Sequence, residues 1–187
     1  MCPDGFFPLA NRSRVVVYAL GRFEVLVDGA ALRFKGRAPL RALELLTALV
    51  AAGDGGANAG RLADQLWPDA DGFDAYRAFT TTLHRLRRLL GGVDAVTLSA
   101  GRLSLNPQVC TVDAWEFERA LRGAADADAV AVVLDHCAGP LLGDDPSPWA
   151  IAARARLEQL VARKHGRLAA APRRYVFGSG LGAALAT

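Results

Sequence analysis

Residues 75–90 read AYRAFTTTLHRLRRLL, and this stretch decides how the rest of the chain is interpreted. Its large apolar residues recur at intervals of four, three and four, which places them on one face of a helix: Phe79, Leu83, Leu86 and Leu90. The opposite face carries arginine and threonine, and the stretch contains no acidic residue. A solvated helix usually mixes both signs of charge, because opposite charges four residues apart are mildly stabilising. The pattern therefore predicts a helix that is anchored by its leucines and presents a surface of one sign.

A surface of this kind suits DNA for two separate reasons. Arginine neutralises phosphates, and each such contact releases counterions. Arginine also forms two hydrogen bonds with guanine O6 and N7, while threonine contacts phosphates or a thymine methyl group. We expect the DNA-binding face to comprise Arg77, Thr81, Arg85 and Arg88, flanked by Thr80 and His84. From this helix alone, a solvated basic face whose last arginines favour the C-terminal helix dipole is an equal alternative.

The chain before this helix begins with a small sheet. Residues 15–18 and 23–27 are rich in β-branched and aromatic residues, as strands are, and residues 31–34 continue as a third short strand. Asp28-Gly29 is a tight-turn signal between the second and third of these segments. We therefore expect three short antiparallel strands.

Two helices are predicted between that sheet and the 75–90 helix. Apolar residues recur at helical spacing from Pro39 to a stop at Gly53, and a shorter helix runs from Asn58, its N-cap, to Trp67. A loop follows, and Asp74 at its end is expected to cap the third helix.

A hairpin is predicted after the third helix. Residues 95–98 and 102–105 alternate around Ala100-Gly101. A short helix, a loop, a basic helix and a hairpin follow the order of a winged helix-turn-helix. Arg102 near the hairpin tip is then placed to touch the DNA backbone, although for this residue alone an exposed turn arginine is the simpler interpretation.

From residue 112 onward the pattern is all-helical. We expect helices near residues 115–121 and 129–137, and a long helix capped by Ser147 with Pro148 at its first position. The expected apolar side of the long helix comprises Trp149, Ala152, Leu157, Leu160 and Val161.

Four segments resemble bacterial regulators of the SARP type. Residues 19–29 (ALGRFEVLVDG), 61–69 (RLADQLWPD) and 81–90 (TTLHRLRRLL) are similar to motifs of their winged-helix domain. Residues 112–118 (VDAWEFE) resemble the start of the bacterial transcriptional activation domain that follows it. The resemblance covers about residues 15–168, and it is the combination of segments that is specific.

The resemblance implies an α+β winged helix-turn-helix fold of the OmpR-like kind at residues 15–108, with a small N-terminal antiparallel sheet, three helices and a C-terminal wing hairpin. It implies a partial, all-α TPR-like bacterial transcriptional activation domain at 109–168. Outside the resemblance, residues 1–14 are expected to form a flexible leader, and residues 169–187 are an unassigned tail. The resemblance also implies a recognition helix at 75–90 and a wing at 95–105. The helical part is shorter than in the family, and the tail matches nothing in it.

The resemblance also points to a second contact. In OmpR-like domains the loop before the recognition helix contacts RNA polymerase, and the matching acids here are Asp69, Asp71 and Asp74. These acids otherwise solvate the loop or cap the helix, and Trp67 beside them is expected in the core. The implied partners are double-stranded DNA, RNA polymerase and, on repeated sites, a second copy of the chain.

Composition and spacing argue against other classes of protein. Of 187 residues, 52% are apolar and 22% are charged, which fits a globular core rather than disorder, and a net charge of +3 is only a small surplus. No apolar run approaches the length of a membrane span, and no targeting signal is recognisable. The three cysteines form no CxxC pair, and the three histidines share no metal-ligand spacing. We therefore expect a cytoplasmic protein without a catalytic site, metal or cofactor, and without a membrane partner.

A protein-interaction module is the alternative to a DNA-binding regulator. In that case the TPR-like region at 113–168 binds a partner helix, and the basic face docks an acidic protein. Its support is the presence of Trp115, Phe117 and Trp149, and that support shrinks if these side chains lie in a core.

Overall fold

Strands Val15–Tyr18 (β1), Glu24–Val27 (β2) and Ala30–Ala31 (β3) open the structure, a computed structural model that describes residues 13–34 and 37–167. The predicted tail at 169–187 and nearly all of the predicted leader lie outside the described residues. The described residues have a mixed α/β architecture with six helices and two small sheets. They divide into two compact units, which we call the N-terminal unit (13–17 with 24–112) and the helical unit (18–23 with 113–167).

The sheet of the N-terminal unit differs from the expected one in two respects. A fourth strand, Cys110–Val112 (β7), pairs in parallel with β1, and the strand order is β3-β2-β1-β7, so the sheet is mixed and not antiparallel throughout. The third strand pairs only at Ala30–Ala31, shorter than the expected 31–34. The turn before it lies at Asp28-Gly29 as predicted, and both residues adopt positive φ, at 50° and 78°.

Two helices follow the sheet. Helix α1 (Leu40–Ala52) ends at Gly53, whose φ of 92° suits a residue without a Cβ. Helix α2 (Ala59–Leu66) is capped as predicted, since the Asn58 side chain accepts a hydrogen bond from the Arg61 backbone N–H at 3.0 Å.

Helix α3 (Gly72–Leu89) packs against α1 and α2 through the predicted stripe. Phe79, Leu83, Leu86 and Leu90 are each at most 3% exposed. The prediction that Asp74 caps this helix is wrong. The helix begins at Gly72, and Asp71 is the cap, because its carboxylate accepts a hydrogen bond from the Asp74 N–H at 2.8 Å.

A second sheet completes the N-terminal unit. Strands Val96–Ser99 (β5) and Arg102–Leu105 (β6) form the predicted hairpin, and Ala100 and Gly101 at its turn adopt φ of 49° and 72°. The short strand Ala57–Asn58 (β4), which leads into α2, pairs with β6. The hairpin is therefore hydrogen-bonded to the start of α2.

The helical unit contains α4 (Asp113–Gly123), α5 (Ala127–Asp135) and α6 (Pro148–Arg167). Helix α5 begins earlier than the expected 129–137, because Asp126 caps it by accepting from the Ala129 N–H at 2.8 Å. The expected apolar side of α6 was wrong in part. Its buried residues are Ala150, Ala153, Leu157 and Val161, whereas Ala152 is exposed and Trp149 and Leu160 are half-buried.

A buried carboxylate joins segment 18–23 to the start of α4 within the helical unit. Asp113 is 8% exposed, and its oxygens accept hydrogen bonds from the backbone N–H groups of Ala19 at 2.7 Å and Leu20 at 3.2 Å. Burial raises the pKa of Asp113 above its ordinary value of 3.8, although the three backbone N–H groups that donate to it and Arg22 act in the opposite direction.

We expect Asp113→Ala to lower the free energy of unfolding by about 2–4 kcal/mol, because three buried backbone N–H groups, those of Ala19, Leu20 and Ala114, lose their acceptor. The folded state binds the Asp113 proton more tightly than the unfolded state. Wild-type stability should therefore fall as the pH rises from about 3.8 through the raised folded pKa. Asp113→Asn should lack this part of the pH dependence. Urea unfolding followed by circular dichroism over a pH series measures both, and an Asp113→Ala variant as stable as wild type would contradict the assignment.

Candidate nucleic-acid interface

The solvent-facing side of α3 brings the predicted DNA-binding residues of this helix together. At about 100° per residue, the buried stripe leaves the opposite face to the solvent. The structure places all six predicted α3 positions there as exposed residues: Arg77, Thr80, Thr81, His84, Arg85 and Arg88. They lie on one helix whose orientation is fixed by its buried side.

The expected one-sign surface is interrupted at its N-terminal end. Because α3 begins at Gly72, it includes Asp74, whose carboxylate lies 3.6 Å from an Arg77 guanidinium nitrogen. Both side chains are well exposed, at 63% and 70%, so this pair contributes little to stability and is readily exchanged. The guanidinium of Arg77 also lies 5.8 Å from the centre of the Phe73 ring.

Among the described residues, the two arginines further along the helix have no ion-pair partner comparable to that of Arg77. Arg85 and Arg88 are exposed, and within the described part of the chain neither forms an ion pair or a side-chain hydrogen bond. Their donors are therefore available to an incoming anion without displacing an existing partner.

The threonine hydroxyls on this face are already donating. Thr80 Oγ1 donates to the Tyr76 carbonyl at 2.9 Å, and Thr81 Oγ1 donates to the Arg77 carbonyl at 3.1 Å. A hydroxyl that has given its hydrogen to the backbone retains its acceptor capacity. Both side chains are thus suited to apolar contact or to accepting a bond more than to donating to a phosphate.

Arg102 lies at the first position of β6 and reaches back from the hairpin turn. Its Nη1 donates to the backbone carbonyls of Gly55 and Gly56, at 3.0 Å and 3.1 Å. Gly56 is itself close to β6, because a Cβ there would lie 2.3 Å from the Leu103 carbonyl oxygen. The arginine thus ties the hairpin to the turn between α1 and α2.

A second arginine fixes the hairpin relative to α3. Arg87, in the last turn of α3, is half-buried, and its Nε donates to the Val96 carbonyl at 3.0 Å. The hairpin is therefore held both to the C-terminal end of α3 and to the turn before α2.

An open groove of about 470 Å³ runs beside the exposed face of α3. Its lining includes Arg77 and Arg85 of α3, Asp74, and two residues that the sequence did not single out for this role, Arg41 and Trp67. Trp67 is half-buried rather than a core residue, and the Arg41 guanidinium lies 6.0 Å from its ring centre. Helical phase alone does not reveal this groove, because α1 and the loop after α2 supply part of it.

The three acids of the predicted polymerase-contact loop have different surroundings. Asp69 and Asp71 are exposed, and Asp71 caps α3. Asp74 is in the first turn of the helix beside Arg77.

Residues 13–34 and 37–167 also bear on metal ligation, thiol chemistry and membrane insertion. They contain no cluster of three His, Cys, Asp or Glu side chains suited to a metal ion. Burial raises the pKa of the Cys110 thiol to about 11, which leaves almost no thiolate at neutral pH. His136 and Cys137 contact the backbone carbonyls of Val132 and Gly139. Along the same residues, every helix falls short of the length or apolar character needed to cross a membrane.

The fold is similar to that of a known protein. No family model and no curated protein matches the chain. A solved structure of EmbR from Mycobacterium tuberculosis, in complex with a low-affinity phosphopeptide, matches with a TM-score of 0.56 at 22% identity. The match covers 81% of this chain and 44% of the EmbR chain, so the present chain spans less than half the length of that protein. At this identity the likeness shows a common fold.

The two acids at the start of α3 are expected to respond differently to alanine. Asp71→Ala removes the helix cap and should cost about 1 kcal/mol. Asp74→Ala breaks only an exposed ion pair and should change stability by less than about 0.5 kcal/mol. Urea unfolding of both variants tests this, and the reverse order would show that Asp74 is the cap.

Arg102→Ala is expected to lower the free energy of unfolding by about 1 kcal/mol, because two hydrogen bonds to Gly55 and Gly56 are lost. Arg61→Ala, which removes an exposed arginine from α2 of the same unit, is the matched control and should have little effect. Amide hydrogen exchange at residues 53–58 should also accelerate in Arg102→Ala. Unchanged exchange there would contradict a role in holding the hairpin.

Proposed function

We propose that the chain is a DNA-binding transcription regulator of the SARP type and that its N-terminal unit is a winged-helix domain. In this proposal α3 is the recognition helix in the major groove, the β5–β6 hairpin is the wing, and α4 to α6 form a TPR-like segment. Two observations support it: the order of three helices and a hairpin, and the fold likeness to EmbR.

The proposal depends most on Arg85 and Arg88 of α3, which are exposed and whose donors are not used by other described residues. An α-helix with side chains is about 10–12 Å across, and the major groove is about 12 Å wide. The buried stripe of α3 fixes which side of the helix enters that groove. Arginines that face out from such a helix are presented to base edges and phosphates without prior rearrangement.

The remaining positions take roles that follow from their existing bonds. Arg77 exchanges its weak contact with Asp74 for a base or phosphate. Thr80 and Thr81, whose hydroxyl hydrogens are already used, offer acceptors and methyl groups to the bases. His84 flanks this set. Arg102 places the wing beside the DNA backbone while it stays bonded to the turn before α2.

Other parts of the proposal rest on the family resemblance. The segment containing Asp69, Asp71 and Asp74 contacts RNA polymerase, and two copies of the chain bind repeated sites. The protein acts in the cytoplasm and is not an enzyme. The acids of the loop are exposed, which such a contact requires.

The alternative, a protein-interaction module without specific DNA binding, has less support. Of the three aromatic residues on which it depends, Trp115 and Phe117 are buried and Trp149 is half-buried. Side chains that build a core are not offered to a partner helix.

We expect Arg85→Ala to weaken binding to a specific duplex by about 1–3 kcal/mol and to weaken binding to unrelated DNA less. The specific duplex is obtained by selecting binding sites for the full chain from a random DNA pool. Affinities are then measured for the selected and unrelated duplexes over a salt series. Arg102→Ala should weaken binding to both duplexes alike.

Arg163→Ala is the matched control, since it removes an exposed arginine from α6 and should bind both duplexes as wild type does. Wild-type affinity should fall about a hundredfold or more between low and moderate salt. Equal loss on every duplex for Arg85→Ala would remove its role in specificity. If the wild type retains no duplex and selects no site, the whole proposal fails.

A further inference from the structure

Phe73 is unusually exposed for a large apolar side chain. It lies in the first turn of α3 and is 73% exposed, the highest value among the exposed large hydrophobic residues of the described chain. A single exposed apolar side chain is common on protein surfaces, so the role of Phe73 follows from its neighbours on the helix.

Its neighbour Tyr76 has a different environment. Tyr76 is 53% exposed, but its ring stacks on Phe79 at a centroid distance of 6.1 Å, and Phe79 is fully buried. Tyr76 therefore covers the edge of the core. Phe73 has a ring contact with Arg77 instead, whose guanidinium lies 5.8 Å from the ring centre.

The position of Phe73 places it on the DNA-facing side of the helix. Residues four apart in a helix differ by about 40° in direction and about 6 Å along the axis. Phe73 and Arg77 therefore face outward together, and Thr81, Arg85 and Arg88 continue the same face. The outward face of α3 thus carries one apolar side chain beside several basic ones. Such a face fits a ligand that offers an apolar group between anionic groups.

The major groove offers such an apolar group in one form, the 5-methyl group of thymine. We propose that Phe73 contacts a thymine methyl group about two base steps from the base read by Arg77, and so determines part of the sequence specificity. This inference rests on the proposed function, because it assumes that α3 enters the major groove. A separation of about 6 Å along the helix corresponds to about two base steps of 3.4 Å. The thymine therefore lies within about two base pairs of a guanine bonded by Arg77.

The test removes the methyl group from the DNA and the phenyl ring from the protein. In the duplex selected by the full chain, each thymine is replaced singly by deoxyuracil, which keeps base pairing and lacks only the methyl group. Dissociation constants are measured for wild type, Phe73→Ala and Phe73→Leu. Ile151→Ala is the control, because it removes an apolar side chain that is 53% exposed on α6.

For wild type, one deoxyuracil position should weaken binding about three- to tenfold, as expected for the loss of one buried methyl contact. Phe73→Ala should bind the thymine and deoxyuracil duplexes equally at that position. Phe73→Leu should retain part of the preference, and Ile151→Ala should retain all of it. Circular dichroism should show the same helix content in all variants, since the side chain is exposed.

Two results would overturn the inference while leaving the proposed function intact. One is a thymine preference in Phe73→Ala equal to that of wild type at every position. The other is a selected site with no thymine within two base pairs of a guanine. If Phe73→Ala binds every duplex as the wild type does, Phe73 does not contact DNA. Its exposed ring then belongs to a protein interface. If wild type selects no duplex at all, the proposed function fails as well.

Discussion

The packing of α3 against α1 and α2 fixes the orientation of every outward-facing residue on that helix. Phe79, Leu83, Leu86 and Leu90 are buried along one side, and each such side chain contributes about 1.5–3 kcal/mol by leaving water. Rotating the helix by even a quarter turn would expose part of this stripe and bury arginines in its place. Burying an unpaired charge costs far more free energy than burying an apolar side chain gains. The direction of the exposed face is therefore fixed before a ligand arrives, and only its side chains remain to be ordered on binding.

The arginines of the chain differ in whether their donors are already used. Arg87 and Arg102 bond backbone carbonyls of the N-terminal unit, and Arg154 bonds the carbonyls of Leu141, Gly143 and Asp145 in the helical unit. These side chains hold loops and the hairpin in place. Arg85 and Arg88 lie on a solvent-facing surface with their donors uncommitted.

Features that depend on local pattern were predictable from the sequence, and features that depend on distant pairing were not. The stripe of α3, the Asn58 cap and the Ala100-Gly101 turn follow from spacing and turn chemistry within a few residues. Strand β7 was missed because it pairs with β1, nearly a hundred residues earlier. Arg102 does lie next to the hairpin turn as predicted, but its hydrogen bonds to Gly55 and Gly56 were missed for a similar reason, since these acceptors belong to another turn. Asp71 and Asp74 are chemically equivalent as caps, and only the start of the helix distinguishes them.

Backbone amide chemical shifts of the full chain, recorded while a selected duplex is titrated in, test most directly whether α3 is the surface that meets DNA. If it is, the largest changes fall on the exposed positions of α3, with smaller changes at the β5–β6 turn and little change in α4, α5 and α6. Changes that are largest in the helical unit, or absent from Gly72–Leu89, would contradict this role of α3.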